Sequence, residues 1–599
     1  MKTFKNLVKK YFQYFSYFYG YLGNRVFASF FLSMLVGVMD GFGLAMFIPL
    51  LQMVDTSGAN TNQATMGNFS FLSDILNKMG IQLNLFVVLV IILIFFSLKG
   101  ILKFLEAYLR VVFEQYFINK IRNRNIRGLS DFSFDIFINA DIGRIQNTFS
   151  GEVEKVKQAY RYYFTSIQFS VFVLVYVFMA LFANPKFALM VVIGGGITNF
   201  LFRGLQRKTK SLSRKITEDG HVFQSLLIQK VAFFKYLKAT GLVYKYADKL
   251  IDTNNKIQHS QRKSGLFSSI LVSAREPMVI LVVVAVIMVQ VNYFHQSISI
   301  IILSLLLFYR GLISLMGMQS YWNLFLGSSG SLQNMTAFNA ELKEGKQIEG
   351  IKVFPGFKNS IELKNLGFAY GDSKILQNIN FSILKNETIA VIGESGSGKT
   401  TLMNIIVGLL KPTQGNVLVD GVELSTYKTS TYQNRIGYIT QESVIFNDTI
   451  FNNISFWDEP TAANMERFYR ALKESSIYDF VMEQPLKENA LLGSNGINIS
   501  GGQKQRMSIA RELYKEVDFL FLDEATSSLD SETENEIHQN MDVLKGHYTI
   551  LIIAHRLATI KNADRIIMLN KGKIERSGTF EELLQSSTVF NRMVQLQSF

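Results

Sequence analysis

Six apolar stretches, near residues 27–52, 84–105, 163–183, 186–205, 266–291 and 298–320, occupy the first half of the chain. Each approaches the roughly 20 residues that cross a bilayer as a helix, so the pattern predicts six spans. Asp40 interrupts the first, and Arg275, Glu276 and Pro277 interrupt the fifth. The third and fourth are joined by a tight turn at Asn184-Pro185. The polar segments 106–162 and 206–265 are too long for loops without structure, which predicts that the spans continue as helices beyond the membrane and turn back. After a composition shift over 321–355 the pattern changes. "TIAVIG" (388–393), "DFLFLD" (518–523) and "TILIIA" (549–554) read as buried strands. "IELKNLGFAY" alternates like a half-exposed antiparallel strand, and "RIIMLNKGKIERSG" reads as a hairpin turning at Lys571-Gly572. Strands alternating with helical runs predict an α/β domain.

Charge gives the topology. The chain carries a net charge of +14 and has a pI near 9.4. Segment 55–83 holds one basic residue, Lys78, and 292–297 holds none, whereas 106–162 holds nine Lys or Arg and 206–265 holds thirteen. Basic loops stay on the cytoplasmic side, which places both long segments and both termini there. The basic balance is therefore a topology signal, and nothing in its distribution calls for a nucleic-acid surface. With no cysteine and six scattered histidines, disulfides, thiolate chemistry and cysteine metal sites are excluded. The basic, aromatic N-terminus lacks the short apolar core of a signal peptide. It reads as an interfacial helix with its rings at headgroup depth.

Residues 393–400, "GESGSGKT", follow a strand and precede the helical run "TLMNIIVGLL". This is a phosphate-binding loop in its required context. Gly393, Ser395, Gly396, Ser397, Gly398, Lys399, Thr400 and Thr401 form the expected cradle for ATP. Glycines let backbone N–H groups converge on phosphate oxygens, and the helix N-terminus adds positive potential. Lys399 is placed to reach the β- and γ-phosphates, and Thr400 to ligate Mg²⁺. In "FLFLDE" (519–524), Asp523 leaves the strand where it can serve Mg²⁺, and Glu524 follows as candidate general base for water. Between the two motifs lies "ISGGQKQR" (499–506).

With that serine-glycine-glycine-glutamine signature between phosphate loop and acidic strand, the chain resembles the ATP-binding cassette transporters over essentially its whole length. The resemblance implies a six-helix all-α transmembrane domain of exporter type, followed by an α/β P-loop nucleotide-binding domain with antiparallel β and α-helical subdomains. The expected boundaries are an elbow helix over 1–26, a membrane domain over 27–340, a linker over 341–355 and a nucleotide-binding domain over 356–599. Ser500, Gly501, Gly502 and Gln503 would contact ATP held by the opposite subunit, so two copies, a homodimer, are expected. Tyr370 matches the aromatic stacked on adenine, and Gln441 matches the glutamine that touches Mg²⁺ and the membrane domain. His555 matches the switch histidine on the γ-phosphate. Asp530 closes the loop that crosses the dimer interface. Segments 141–156 and 223–241 resemble the loops that couple the two domains. Departures are Ile499 for leucine, Thr440 for proline, and "GSNG" (493–496), whose Ser494 replaces a common glutamate.

Arg310 lies about twelve residues, or ~18 Å, into the last apolar stretch, and Arg275 lies at a similar depth in the fifth. Lys99 is in the inner half of the second. Charges at such depth face a cavity or a partner. Three cations could hold an anionic headgroup, while Asp40 and Glu276 could neutralise two of them. The arrangement resembles the flippases of lipid-linked oligosaccharides. The expectation is an ATP-hydrolysing exporter of an amphipathic, anionic, lipid-linked substrate, multi-pass in a bacterial inner membrane with the nucleotide-binding domain cytoplasmic. A drug or peptide exporter is the alternative, ahead of an ATP-gated regulator or an exporter-fold importer.

Overall fold

The computed structural model describes residues 13–47, 50, 84–183, 185–294, 298–493, 496, 498–523, 544–554 and 560–597. They divide into two compact units, one of residues 1–132 with 140–346, the other of 133–139 with 347–599.

The first unit is helical. Among the described residues its long helices are α1 (Arg25–Ala45), α2 (Leu85–Ser130), α3 (Val153–Ala183), α4 (Pro185–Ala232), α5 (Val243–Phe294) and α6 (Ile298–Glu344). α2, α4, α5 and α6 run 46 to 52 residues. At 1.5 Å per residue they are about 70 Å or longer, over twice the ~30 Å apolar core of a bilayer. This accounts for the long basic segments: they are helix, not loop. Among the described residues, the stretches Arg25–Ala45, Leu85–Ser130 and Ile142–Phe182 are long and apolar enough to cross a membrane, and a shorter apolar helix covers Ile280–Val289. Pro185 opens α4, where its missing N–H costs nothing, and α5 continues through Pro277.

Close packing follows from small residues. A Cβ on Gly41 would come within 1.9 Å of the Met179 sulfur, so only glycine lets α1 approach α3 this closely. α3 and α6 run antiparallel. Gly317 faces Phe169, Gly311 faces Tyr176, and Ser166 Oγ donates to the Met318 carbonyl at 3.0 Å. An aromatic cluster locks one end of the unit: Phe18, from the helical turn structure over 13–22, meets Phe117, Tyr160, Tyr163 and Phe164 at ring separations of 4.9–5.8 Å.

The second unit holds two sheets among its described residues. The first is antiparallel and has the order β2 (Ser373–Leu384), β1 (Ser360–Tyr370), β4 (Gln414–Val419), β5 (Val422–Glu423). The second has the order β10 (Lys573–Gly578), β9 (Arg565–Asn570), β3 (Thr388–Ile392), β8 (Thr549–Ile553), β7 (Phe519–Asp523), β6 (Ile436–Ile439). It is parallel except for the β9–β10 hairpin. β3 and β8 are buried at every position, as strands covered on both faces must be. The hairpin turns at Lys571 and Gly572, with φ of 46° and 75°, the two positive values that a tight two-residue turn requires.

One piece of the second unit comes from far upstream. Residues 133–139 include a short helix, Phe134–Phe137, and Phe134 packs against the core cluster that contains Phe357, Phe519 and Leu569. The sequence had pointed to 141–156 as the first coupling segment. Those residues instead form Ile142–Asn147 and a π-turn at Thr148–Glu152 that runs into α3, all within the helical unit. Both helices offer apolar side chains, but Phe134 packs on the second unit's core, whereas Ile145 is buried in a segment that belongs to the helical unit.

Candidate functional site

Strand register builds the nucleotide site. Val391 of β3 pairs with Ile553 of β8, and Ile553 pairs with Asp523 of β7. The three strand ends therefore stand at one level, the carboxyl edge where open α/β sheets place their ligands. Gly393 begins the loop two residues beyond Val391. Its φ is +153°, and a Cβ there would lie 2.1 Å from the Leu569 carbonyl oxygen. Gly396 and Gly398 have φ of +79° and +103°. Only glycine holds all three positions without strain, and the result is a loop whose backbone curls inward.

That loop is short of partners. Among the described residues, the N–H groups of Ser395, Gly396 and Gly398 make no hydrogen bond, and the buried Ser397 Oγ has none either. A buried polar atom without a partner, as Ser397 Oγ is, is costly, and with the loop's free, more exposed N–H groups it stands ahead of helix α7 (Lys399–Ile406), whose N-terminus favours an anion. Lys399 is buried and its ammonium donates to the carbonyls of Gly393 and Glu394 at 2.9 and 3.0 Å. The positive charge is thus held inside the curl. Thr400, exposed, and Thr401 lie in the first helical turn. The donor set fits a phosphate chain. Gly572 supports the loop from below: its N–H donates to the Ser397 carbonyl at 3.2 Å and its carbonyl accepts from Gln377 N–H at 2.8 Å.

Asp523, half-buried, ends β7 and accepts a hydrogen bond from the Tyr438 hydroxyl. Burial, with the Asp523 carboxylate adding to it, pushes the Tyr438 phenol well above its ordinary range, so it stays a donor. Gln441 is exposed just past β6, in a turn fixed by Thr440 Oγ1 donating to the Glu442 carbonyl at 2.6 Å. Tyr370 ends β1 with 38% of its surface exposed, its ring set edge-on to Phe368 at 4.8 Å. Glu524, Asp530, His555 and Ser494 lie outside the described residues.

The signature residues form a helix start. Ser500 caps helix α8 (Gly501–Tyr514): its Oγ accepts from Gln503 N–H at 3.2 Å, and Gln503 Oε1 accepts from Ser500 N–H at 2.8 Å. This reciprocal capping box leaves Ser500 and Gly501 exposed, while Gly502 is buried. Farther along α8, Arg511 is a residue that the sequence reading missed. It is 5% exposed and donates to the Asn453 carbonyl at 2.5 Å, the Val444 carbonyl at 2.7 Å and Asn453 Oδ1 at 3.1 Å. It also lies against the Phe446 ring at 5.2 Å. Burial pulls its pKa below the ordinary guanidinium value, with the neighbouring Glu512 acting the other way. Arg511 thereby ties the signature helix to the segment that follows Gln441. The one available signal was an arginine flanked by apolar residues in "SIARELY".

In the helical unit the charged residues converge by register. Arg25 stands 3.8 Å over the Tyr116 ring, Ser33 donates to Glu106, and Lys99 pairs with Asp40, so α1 and α2 run antiparallel and level. Asp40, 2% exposed, also accepts from the Tyr176 hydroxyl of α3. Lys99 is thus in the paired arrangement, not a free cation. Gly311 of α6 packs on Tyr176, which sets the neighbouring Arg310, half-buried, near the same cluster. Among the described residues the Arg310 guanidinium makes no hydrogen bond or ion pair. Arg275 and Glu276 lie on α5, and their side chains fall outside the described ones. A second buried network went unnoticed in the sequence because it falls at the edge of an apolar stretch. In it Glu106 takes bonds from Ser33, from Arg110 at 3.2 Å and from Gln168 at 2.7 Å, and Arg110 also reaches Gln168 Oε1 at 2.6 Å.

Comparison with known proteins agrees with this geometry. The family described as ABC transporter matches residues 376–527. An ATP-dependent lipid A-core flippase of Syntrophus aciditrophicus is 27% identical over 581 residues, 93% of this chain and 92% of that protein. A protein of the same name from Desulfotalea psychrophila is 41% identical over 241 residues, 40% of this chain and 42% of its own length. A multidrug export ATP-binding/permease protein of Staphylococcus aureus is 38% identical over 260 residues, 43% of this chain and 44% of its own length. A solved bacterial Atm1-family ABC exporter with ATP bound superposes with a TM-score of 0.79 at 20% identity, covering 96% of this chain and all of that one. Residues 376–527 thus form an ABC transporter domain, and the chain has the fold of an ABC exporter, with a helical unit and an ATP-hydrolysing cassette carried on one polypeptide.

Proposed function

We propose that two copies of this chain form a homodimeric exporter that uses ATP to move an amphipathic, anionic, lipid-linked substrate out of the cytoplasmic leaflet of a bacterial inner membrane. In this reading residues 27–340 translocate, 356–599 hydrolyse ATP on the cytoplasmic side, 1–26 lie along the interface and 341–355 link the two. The phosphate loop binds the ATP phosphates through backbone N–H groups, Ser397 Oγ and Lys399. Tyr370 stacks on the adenine. Ser500, Gly501, Gly502 and Gln503 close over the ATP of the other copy, with Asp530 at the seam. Thr400, Gln441 and Asp523 would hold Mg²⁺, which supplies charge neutralisation between the β- and γ-phosphates. Glu524 orients and deprotonates the attacking water, and His555 contacts the γ-phosphate.

The need for two copies is supported by an exposed signature serine and by the apolar tip where α4 ends. There Val231, Phe233, Phe234 and Tyr236 are 53–70% exposed, a surface suited to docking on a second cassette. The observation that carries the substrate class is Arg310. It lies near mid-bilayer depth, beside a cluster in which Asp40 already neutralises Lys99, and it has no partner among the described residues. A surplus cation at that depth suits a phosphate or diphosphate headgroup, and the end-to-end likeness to a lipid flippase points the same way. Arg275 is the second candidate contact, and Lys99 contributes through its pairing.

The test is the ATPase rate of the full chain in lipid nanodiscs, with and without polyprenyl-diphosphate sugars, for wild type and Arg310→Ala. Stimulation in the wild type, lost in the variant with basal hydrolysis kept, is expected. No stimulation of the wild type overturns the reading and leaves a drug exporter, the activity named for the Staphylococcus aureus relative, as the better account.

A further inference from the structure

Besides Arg310, the helical unit has a group of exposed cations on α2 without an ion pair among the described residues. Lys120, Arg124 and Arg127 follow Tyr116 along one stripe of α2 at i, i+4 and i, i+3 spacing. With Tyr17 and Tyr21 of the N-terminal segment they line a cavity of about 750 Å³ in which no acidic side chain stands among the described residues. The Lys120 ammonium donates to the Tyr21 carbonyl at 3.0 Å, which anchors one wall. The aromatic wall is itself fixed, with Tyr21 edge-on to Phe117 at 5.4 Å.

Its depth can be read from register. The apolar stretch that α1 carries starts at residue 27, so the basic residue just before it marks one bilayer face. That residue is Arg25, and its guanidinium lies over the Tyr116 ring. The cavity therefore opens at headgroup level, on the side where the basic segments lie. A pocket with three unpaired cations and an aromatic wall at that level matches a phosphodiester headgroup whose acyl chains remain in the leaflet.

We infer that the cavity between the N-terminal helix and α2 binds one anionic phospholipid of the cytoplasmic leaflet per chain, as a resident lipid and not as cargo. The choice of leaflet rests on the topology proposed above, and binding itself does not depend on what the protein transports.

The experiment is native mass spectrometry of the purified full chain, titrated with phosphatidylglycerol. One lipid is retained per chain, and phosphatidylcholine is not. The triple variant K120Q/R124Q/R127Q weakens binding about a hundredfold, and Arg124→Gln alone about fivefold, since each basic residue near an anionic surface contributes about that factor. Arg122→Gln, exposed on α2 but outside the cavity, shifts it less than about twofold. Unchanged basal ATPase shows that the variants are folded; if the triple variant loses it, the single variant decides. Equal affinity for phosphatidylglycerol in Arg124→Gln and wild type overturns the site, and so does an equal loss in Arg122→Gln. Competition by glycerol 3-phosphate at matched concentration assigns the pocket to a soluble phosphate and overturns the lipid.

Discussion

The cassette and the helical unit treat polar atoms in opposite ways. In the cassette, a sheet buried on both faces holds a loop whose backbone donors and Ser397 hydroxyl are left without partners. The site is made of unmet hydrogen bonds on a rigid frame. In the helical unit, the buried charges among the described residues are largely met: Asp40 with Lys99 and Tyr176, Glu106 with Arg110 and Gln168, Glu114 with Arg161 at 2.8 Å. On the proposed reading, function there rests on what is left over, chiefly Arg310 and the basic stripe at the bilayer face. The lesson is that a catalytic site announces itself by the groups it gathers, and a membrane binding site by the charge it fails to cancel.

The contrast can be tested by breaking each kind of match. The largest effect is expected from Asp40→Asn, which strands Lys99 and costs about 3–5 kcal/mol, seen as a fall in Tm in detergent. The double variant Asp40→Leu with Lys99→Leu should regain most of it, and an unchanged Tm in the single variant would sink the pairing. Next, Lys399→Ala should lower ATP hydrolysis by about a hundredfold or more while Tm holds, because the charge it removes belongs to the site and not to the frame. Third, Arg511→Lys keeps the charge but loses the planar fork to Asn453 and Val444. A loss of about 2 kcal/mol in cassette stability is expected, with signature helix and glutamine loop loosened together in hydrogen exchange. Fourth, Tyr370→Ala should raise KM for ATP about tenfold with kcat nearly unchanged.

The smallest effect concerns pH. Asp448 accepts from Asn452 Nδ2, Trp457 Nε1 and Thr449 N–H at 2.7–2.8 Å, and these bonds hold its carboxyl below the usual range. A depressed folded pKa contributes stability above the unfolded value and loses it as pH falls through the folded one. Acid melting of wild type should therefore steepen below about pH 4 relative to Asp448→Asn; identical acid limbs would remove Asp448 from the account.

How much was legible follows the range of each interaction. The phosphate loop was readable because eight consecutive residues and the flanking strand and helix define it locally. The place of Asp523 at a strand exit was readable from its apolar run, and its proposed role only in company with the phosphate loop. The long helices among the described residues were readable from their apolar stretches, and their full length from the excess polar sequence between them. Arg511 was not readable: its partner Asn453 is 58 positions away, and no local pattern says which buried arginine serves as a tie. Lys99 and Asp40 share a depth, but 59 residues separate them, and depth alone left pairing and cavity open. The segment 133–139 was passed over for 141–156 because its attachment to a core is decided by residues in the second half of the chain.

That last feature has a consequence in time. Phe134 belongs to a core whose last strand contributes Leu569, roughly 435 residues later in the chain. At a synthesis rate of about 5–20 residues per second, the ribosome completes that core some 20 to 90 seconds after Phe134 has been made. Throughout that interval "FDIF" is an apolar segment without its destination. The cassette, though written at the end of the gene product, is finished by a residue supplied near the beginning, so the two halves of the chain are bound to one assembly schedule.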